Sequence, residues 1–262
     1  MAQVFKKRKI PAVYMPLGFL LPAVLLLSWQ LLTSGKHALI GTPMETIKVF
    51  SALIMDGTIL KLTLVSLERV LKGFAIGTVL GMASGILMGS SKQYEKFTAA
   101  SFHAMRQIPM VAWVPVLIMW FGTGGFAQVV FIAWAAFYPS ALNSYDGIKN
   151  IPQKYLEISR VYGYTRFQTI RRIIIPAALP NIRTGIVLSL NIAWTLLVAA
   201  EIMTSEPSGG LGNILSEGRE TFNMQLLITG MIVMGTGGFL INKVAELIWD
   251  VVFKNNAGRE AA

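Results

Sequence analysis

The stretch GFAIGTVLGMASGILMGSS, from Gly73 to Ser91, decides the fold. It holds no charged residue, and its 19 residues approach the length of about 20 that a helix needs to cross about 30 Å of hydrocarbon. Glycine returns at every fourth position, and this spacing forms a flat groove where another helix can approach closely. We therefore predict a membrane helix packed deep in a bundle, against the same chain or a second copy. The packing glycines are Gly73, Gly77, Gly81, Gly85 and Gly89.

The composition indicates that lipid is the main solvent of this chain. Of its 262 residues 54% are hydrophobic and only 14% are charged, whereas soluble domains carry about 25% charged residues. Cysteine is absent, which excludes disulfides and thiolate metal sites. With only two histidines, His37 and His103, we expect no metal site.

Uncharged stretches locate the membrane spans. The longest, Gln107 to Tyr145, is long enough for two crossings, and Gly122-Thr123-Gly124-Gly125 supplies a turn inside it. We predict an all-α integral membrane protein with six transmembrane helices in a single domain, 1–262, and a cytoplasmic loop at 145–181. The predicted spans are about 11–32, 65–90, 106–121, 126–144, 182–202 and 222–248.

The basic residues set the orientation. With both termini in the cytoplasm, the cytoplasmic segments hold 16 of the 23 lysines and arginines and the outer segments hold four. Such a bias is typical of membrane proteins, whose cytoplasmic loops are enriched in lysine and arginine. It accounts for the net charge of +10 without a nucleic-acid partner.

The longest cytoplasmic segment predicts two helices. Pro152 suits the start of a short helix and Gly163 the residue just past its end. Thr165-Arg166-Phe167-Gln168 is a capping-box pattern that begins a second helix. We expect Pro176 and Pro180 to break the chain before the fifth span. Taken alone, the segment would be an amphipathic loop resting on the membrane surface.

The detailed pattern of this loop points further. Glu157-Ile158-Ser159, then Gly163, then Ile173-Ile174-Ile175-Pro176 resembles the EAA signature of binding-protein-dependent ABC permeases. Ile158 replaces the first alanine of that signature and Ile175 replaces a leucine, and both changes keep an apolar residue. The implied fold is an ABC importer type I (MetI-like) permease bundle.

The resemblance implies a role for the loop. In that family this segment is the coupling helix, which sits in a cleft of the ATPase subunit. The implied coupling residues are Glu157, Ile158, Ser159, Arg160, Gly163, Ile173 and Pro176. The implied partners are two ABC ATPase subunits, an extracytoplasmic substrate-binding protein and a second copy of this chain, in a bacterial inner membrane with its lipid. The sequence has no G-x-x-x-x-G-K-[ST] phosphate cradle, so ATP and Mg²⁺ are expected on the partner, with no cofactor and no enzymatic activity here.

Further motifs look like one branch of this family, the taurine, sulfonate, nitrate and bicarbonate permeases. This resemblance implies import of a small, mostly anionic solute, whose identity depends on the binding protein. The motifs are Ser66-Leu67-Glu68-Arg69, Gln107-Ile108-Pro109, Leu117-Ile118-Met119-Trp120-Phe121-Gly122, Ala199-Ala200-Glu201 and Gly210-Leu211-Gly212.

Polar and aromatic residues inside the spans are candidates for the translocation pathway, because burying them in lipid is costly. They could instead make helix-to-helix hydrogen bonds or anchor the interface. Glu201 ends the fifth span, so we expect it to face the binding protein or to brace an outer gate. Glu68, Arg69 and Lys72 read as an interfacial cluster whose side chains snorkel. The pathway candidates are Gln128, Asn143, Asn191, Trp194 and Thr195.

Two other classes of protein fit the sequence less well. A membrane-embedded enzyme needs a cluster of catalytic groups in the bundle, and the sequence offers none. The alternative reading is an ATP-independent secondary transporter or channel. Such proteins carry ionisable residues near mid-membrane or inverted repeats, whereas these spans are charge-free at their centres apart from Lys243 in the last one.

Overall fold

The computed structural model describes residues 15–33, 41–203 and 209–257, and in these ranges every regular element is helical. A 3-10 turn, Met110–Trp113, precedes α5, and a π-helical turn, Ile170–Ile174, joins α8 to α9. The helices are α1 (Met15–Thr33), α2 (Pro43–Met55), α3 (Thr58–Ser90), α4 (Lys92–Met105), α5 (Val114–Phe121), α6 (Gly125–Lys149), α7 (Gln153–Val161), α8 (Arg166–Thr169), α9 (Ile175–Met203), α10 (Leu211–Glu220) and α11 (Met224–Ala257).

Four helical stretches in these ranges are long and apolar enough to cross a membrane: Thr58–Ser90, Gly125–Lys149, Arg166–Ile202 and Met224–Trp249. A fifth candidate is the pair Lys92–Met105 and Met110–Phe121, which is bent by 93°. The predicted first span, 11–32, begins outside the described residues, and within α1 the stretch Leu20–Thr33 is apolar as well. The all-α membrane fold is confirmed, but the predicted count of six spans is not.

The predicted third span, 106–121, is not one straight helix. Arg106 caps α4, Pro109 is extended (φ −56°, ψ 131°), and a regular helix resumes only at Val114. Proline lacks a backbone N–H and forces the preceding residue out of the helical region, which explains the bend. The turn after α5 lies at Gly122, whose φ is +78°.

The break predicted at Pro176 and Pro180 is wrong. The helix is continuous from Arg166 to Ile202. The last part of the loop predicted at 145–181, from Arg166 onward, therefore belongs to this helix. The π-helical turn at Ile170–Ile174 bonds over five residues instead of four. The missing N–H of Pro176 therefore falls where the hydrogen-bond ladder has already shifted register. Pro180 lies inside α9, as membrane helices tolerate.

The packing glycines of α3 face α6 of the same chain. A Cβ atom on Gly77, Gly81 or Gly85 would overlap the backbone carbonyl oxygen of Ala133, Phe137 or Ala141, respectively. At the two ends of the row, a Cβ on Gly73 or Gly89 would lie 2.7 Å from the Cβ of Ile132 or Ile148. Backbone therefore lies directly on backbone along this interface. The sequence left open whether the glycines pack against the same chain or a second copy, and the structure places them against the same chain.

One apolar core joins α3, α6, α9, α10 and α11. It includes Val70, Ile132, Leu197, Leu211 and Met234, all buried. Since α9 has 29 residues, it is about 43 Å long. The helix α7 precedes its beginning and α10 follows its end, so we call the two ends of the bundle the α7 end and the α10 end.

Substituting a packing glycine tests this interface. We expect Gly77→Ala to lower the free energy of unfolding by about 1–3 kcal/mol, because its methyl group must push α6 away. Gly235→Ala on α11 is the matched control, since no atom lies within 4 Å of its added Cβ. Removing a helical glycine there should be neutral or stabilise by about 0.5–1 kcal/mol. Chemical denaturation in detergent micelles measures both, and equal effects would contradict the close approach.

Candidate functional site

The helix α7 presents apolar side chains to the outside. Val161 is 85% exposed and Tyr162 70% exposed, and Tyr155 and Ile158 are exposed too. Ser159 is buried and donates its hydroxyl hydrogen to the carbonyl oxygen of Leu156 (2.6 Å). An exposed apolar cluster of this kind on a nine-residue helix is suited to docking another protein.

A glycine corner ends this helix. The N–H of Gly163 donates to the carbonyl of Arg160 (3.1 Å), and the N–H of Tyr164 donates to the carbonyl of Ser159 (2.9 Å). This pair of bonds is a Schellman motif, which places its central residue in the left-handed region. Gly163 has a φ of +64°, which disfavours a side chain at this position.

The next helix begins with a capping box. The N–H of Gln168 donates to Oγ1 of Thr165 (3.3 Å), and the N–H of Thr165 donates to Oε1 of Gln168 (2.9 Å). Of the two coupling residues predicted farther along, Ile173 is half-buried and Pro176 is exposed. The capping box thus fixes where the chain turns back towards the bundle.

The loop is attached to the bundle through a second apolar cluster. Leu156 of α7 packs against a core of Ile148, Ile151, Ile174, Ala178 and Ile182. These residues belong to the end of α6, the connection from α6 to α7, the π-helical turn and the beginning of α9. A displacement of α7 would therefore press on two membrane helices at once.

The predicted pathway residues do not form one site in this chain. Gln128 is buried among Val114, Leu117, Ile118, Ala127, Phe131 and Ala200. Asn143 donates to the carbonyl of Pro139 on its own helix (2.8 Å), and Thr195 to that of Asn191 (2.9 Å). Gln128 and Asn143 are some four turns apart on α6, about 22 Å.

Trp194 makes a contact between helices. Its ring is buried, its Nε1–H donates to the carbonyl oxygen of Met234 on α11 (3.1 Å), and Gly237 and Gly238 make room for the ring. Trp194 therefore makes a helix-to-helix hydrogen bond, which is the alternative to contact with the translocation pathway given in the sequence analysis.

The structure places one buried charge pair that the sequence reading missed. Arg69 turns inward from α3, and its Nη1 lies 2.9 Å from Oε1 of Glu201 on α9. The Glu201 side chain is 0% exposed, so it does not reach the surface where a docked protein would meet it. The expectation that Arg69 snorkels is wrong; Glu68 and Lys72 alone form the exposed ion pair.

A signal for this pair was present in the sequence. Ser66 and Arg69 are three residues apart, on one face of α3, and Glu201 is an ionisable residue near the end of a span, which commonly has a partner. Nothing in the sequence alone showed that these two spans are neighbours. In the part of the chain that the structure describes, no group of three or more metal-ligating side chains could hold a metal ion.

Comparisons with known proteins show which proteins this chain resembles. A family model described as "Binding-protein-dependent transport system inner membrane component" matches residues 77–255. A Bacillus subtilis (strain 168) protein named as an aliphatic sulfonates transport permease, SsuC, is 35% identical over 234 residues, covering 88% of this chain and 84% of its own. The nitrate import permease NrtB of Synechocystis is 30% identical over 239 residues, covering 88% and 86%.

A solved structure shares the fold. The inward-facing MetNI methionine ABC transporter superposes with a TM-score of 0.60 at 23% identity, and the match covers 72% of this chain and 93% of that one. The predicted MetI-like permease bundle is confirmed.

Substituting Trp194 distinguishes a role in helix packing from contact with the translocation pathway. We expect Trp194→Phe to lower the free energy of unfolding by about 1–2 kcal/mol, since it loses the bond to Met234 and part of the buried ring. Trp120→Phe is the control, because Trp120 is 67% exposed and should change stability by less than about 0.5 kcal/mol. Unfolding in detergent measures both. Unchanged stability with lost transport would argue for pathway contact instead.

Proposed function

Because the chain belongs to the family of binding-protein-dependent transport system inner membrane components, we propose that it is the permease subunit of an ATP-driven importer of a small anion. Membership makes it a multi-pass component of a transport system rather than an enzyme. The family's sulfonate and nitrate permeases are its relatives.

The proposed coupling element is α7. The observation that carries it is the exposed apolar surface of Tyr155, Ile158, Val161 and Tyr162, on a helix anchored to the bundle by Leu156. A partner ATPase that grips this surface and Glu157 would transmit its closure through the cluster to α6 and α9. ATP and Mg²⁺ are bound by that partner.

The proposed assembly contains two copies of this chain, two ATPase subunits and an extracytoplasmic substrate-binding protein. Because the basic residues concentrate in segments that include the α7 loop, we place the α7 end and both termini in the cytoplasm of a bacterial cell, with the α10 end outside the inner membrane. The exposed leucines of α3 and α11, such as Leu80 and Leu247, suit contact with lipid.

The proposed solute is of the sulfonate, taurine, nitrate or bicarbonate type. This rests on the names of relatives, one for aliphatic sulfonates and one for nitrate. Gln128, Asn143, Asn191 and Thr195 remain the proposed pathway positions, to be completed by the second copy. Glu201 is assigned a bracing role instead, because a buried carboxylate would repel an anion.

Loss of a copurifying ATPase tests the coupling assignment. We expect gentle detergent extraction of the tagged chain from its host to recover an ATP-binding subunit in about equal amount. The variant Glu157→Lys should lose this subunit, because it reverses an exposed charge within the proposed docking surface. Mass spectrometry of the bound proteins is the measurement.

The matched control is Glu217→Lys, which changes another exposed glutamate, on α10 at the opposite end, and should keep the partner. Recovery of a lone chain that moves solute without ATP would replace the proposal by the secondary-transporter reading.

The corner at Gly163 tests transmission separately from binding. Its Cβ would meet no atom within 4 Å, so the strain of Gly163→Val arises from the backbone alone and costs about 1–2 kcal/mol. We expect this variant to reach the membrane in normal amount and to abolish uptake of radiolabelled solute. Gly124→Val is the control: its surroundings are open too, but its φ is −81°, which valine adopts freely. Equal uptake by both variants would sink the assignment.

A further inference from the structure

A short segment at the α10 end is held by side chains from two other helices. Ser66 donates to Oε1 of Glu201 (2.7 Å), and Arg69 Nη1 donates to the same oxygen (2.9 Å) and to the carbonyl of Gly209 (2.6 Å). In return, the N–H of Leu211 donates to Oγ of Ser66 (2.8 Å), and the N–H of Gly212 donates to Oε2 of Glu201 (2.8 Å). We call these contacts the α10 clasp.

The clasp explains two glycines. A Cβ atom on Gly210 would overlap the carboxylate of Glu201, and a Cβ on Gly212 would lie 2.5 Å from the Cβ of Glu201. Real Cβ atoms do not approach so closely, so the carboxylate of Glu201 leaves position 210 open only to glycine, and the Cβ of Glu201 does the same at position 212. Gly210-Leu211-Gly212 is therefore a receptor for a carboxylate from the same chain.

The clasp lies directly beside the apolar core. Leu211 and Ile214 of α10 are buried against Val70 of α3, Leu197 of α9 and Met234 of α11. Polar and apolar contacts thus both fix α10 to α3 and α9 at the same place. Separating α10 from α3 and α9 would expose this core. It would also take the carbonyl of Gly209 away from the buried guanidinium of Arg69 and the N–H of Gly212 away from the buried carboxylate of Glu201, and leaving buried charged groups without these partners is unfavourable.

We propose that Ser66, Arg69 and Glu201 are positioning residues that keep α10 fixed to α3 and α9 throughout the transport cycle. The α10 clasp is a permanent brace, so the motion that opens the outer end occurs elsewhere, between this unit and its surroundings. The link to transport rests on the proposed import function, whereas the existence of the brace does not.

Thiol labelling tests the brace without any transport assay. The chain has no cysteine, so Leu211→Cys supplies one reporter inside the clasp, where the side chain is 0% exposed. Ala141→Cys, also 0% exposed but on α6, is the matched control. We expect both thiols to react slowly with a maleimide in the assembled complex. We expect the rate of maleimide labelling at position 211 to stay slow while ATP is hydrolysed. A faster rate at position 211 but not at position 141 during turnover would overturn the permanent brace.

Removing the charges separates positioning from folding. The pair Arg69→Met/Glu201→Gln leaves no unpaired charge, so we expect a thermal midpoint near that of the parent. Labelling at position 211 should rise at least about tenfold through local opening, and uptake should fall at least about tenfold through loss of position. Normal uptake with a protected thiol would reduce the clasp to ordinary packing and overturn the proposal.

Arg69→Lys covers the case in which the double variant does not fold. It keeps the charge but loses the planar fork that presents donors in a fixed geometry, so it should shift labelling and uptake in the same directions by a smaller factor. Parental values for both measurements in this variant would overturn the proposal as well. If the parent chain imports no solute but the variants still show raised labelling, the brace stands and the import function alone is contradicted.

Discussion

The contact of α3 with α6 is the constraint on which the rest of the structure depends. In a bilayer the hydrophobic effect does not drive helices together, so association relies on van der Waals contact and on backbones that approach closely. The glycines at 77, 81 and 85 let α3 touch carbonyl oxygens of α6, and Ser140 adds a hydrogen bond to the carbonyl of Thr78 (2.9 Å). The other helices pack around this pair, as the shared core at Val70 and Ile132 shows.

The two proline-rich stretches show why sequence rules alone misplaced element boundaries. Pro109 bends the chain by 93° between α4 and the segment that follows, whereas Pro176 and Pro180 interrupt nothing. The difference is local. A π-helical turn at Ile170–Ile174 shifts the hydrogen-bond register just ahead of Pro176, and no such turn precedes Pro109, where Ile108 must leave the helical region. The presence of a proline predicts that the helical hydrogen bonding is disturbed, but it does not predict whether the helix ends there or continues.

Much of the fold and part of the site could be predicted from the sequence. Glycine spacing, charge gaps and the capping box at Thr165 are local patterns with local consequences, and the family resemblance extended them to the whole bundle. The buried Arg69–Glu201 pair could not be predicted, because it joins residues 132 positions apart and depends on which helices are neighbours. Arg69 and Lys72 are close in sequence, which predicts a single interfacial cluster, but Arg69 points inward and Lys72 points outward.

The unbroken helix from Arg166 to Ile202 gives the two ends of the bundle a mechanical connection. Its beginning carries Ile174, against which the cluster under α7 packs, and its far end carries Glu201, which holds α10. If the chain broke at Pro176, a push on α7 would be absorbed in a flexible loop. Because the π-helical turn keeps the helix intact, a displacement at the α7 end must instead move the whole of α9, and α10 must follow as long as the carboxylate stays bound.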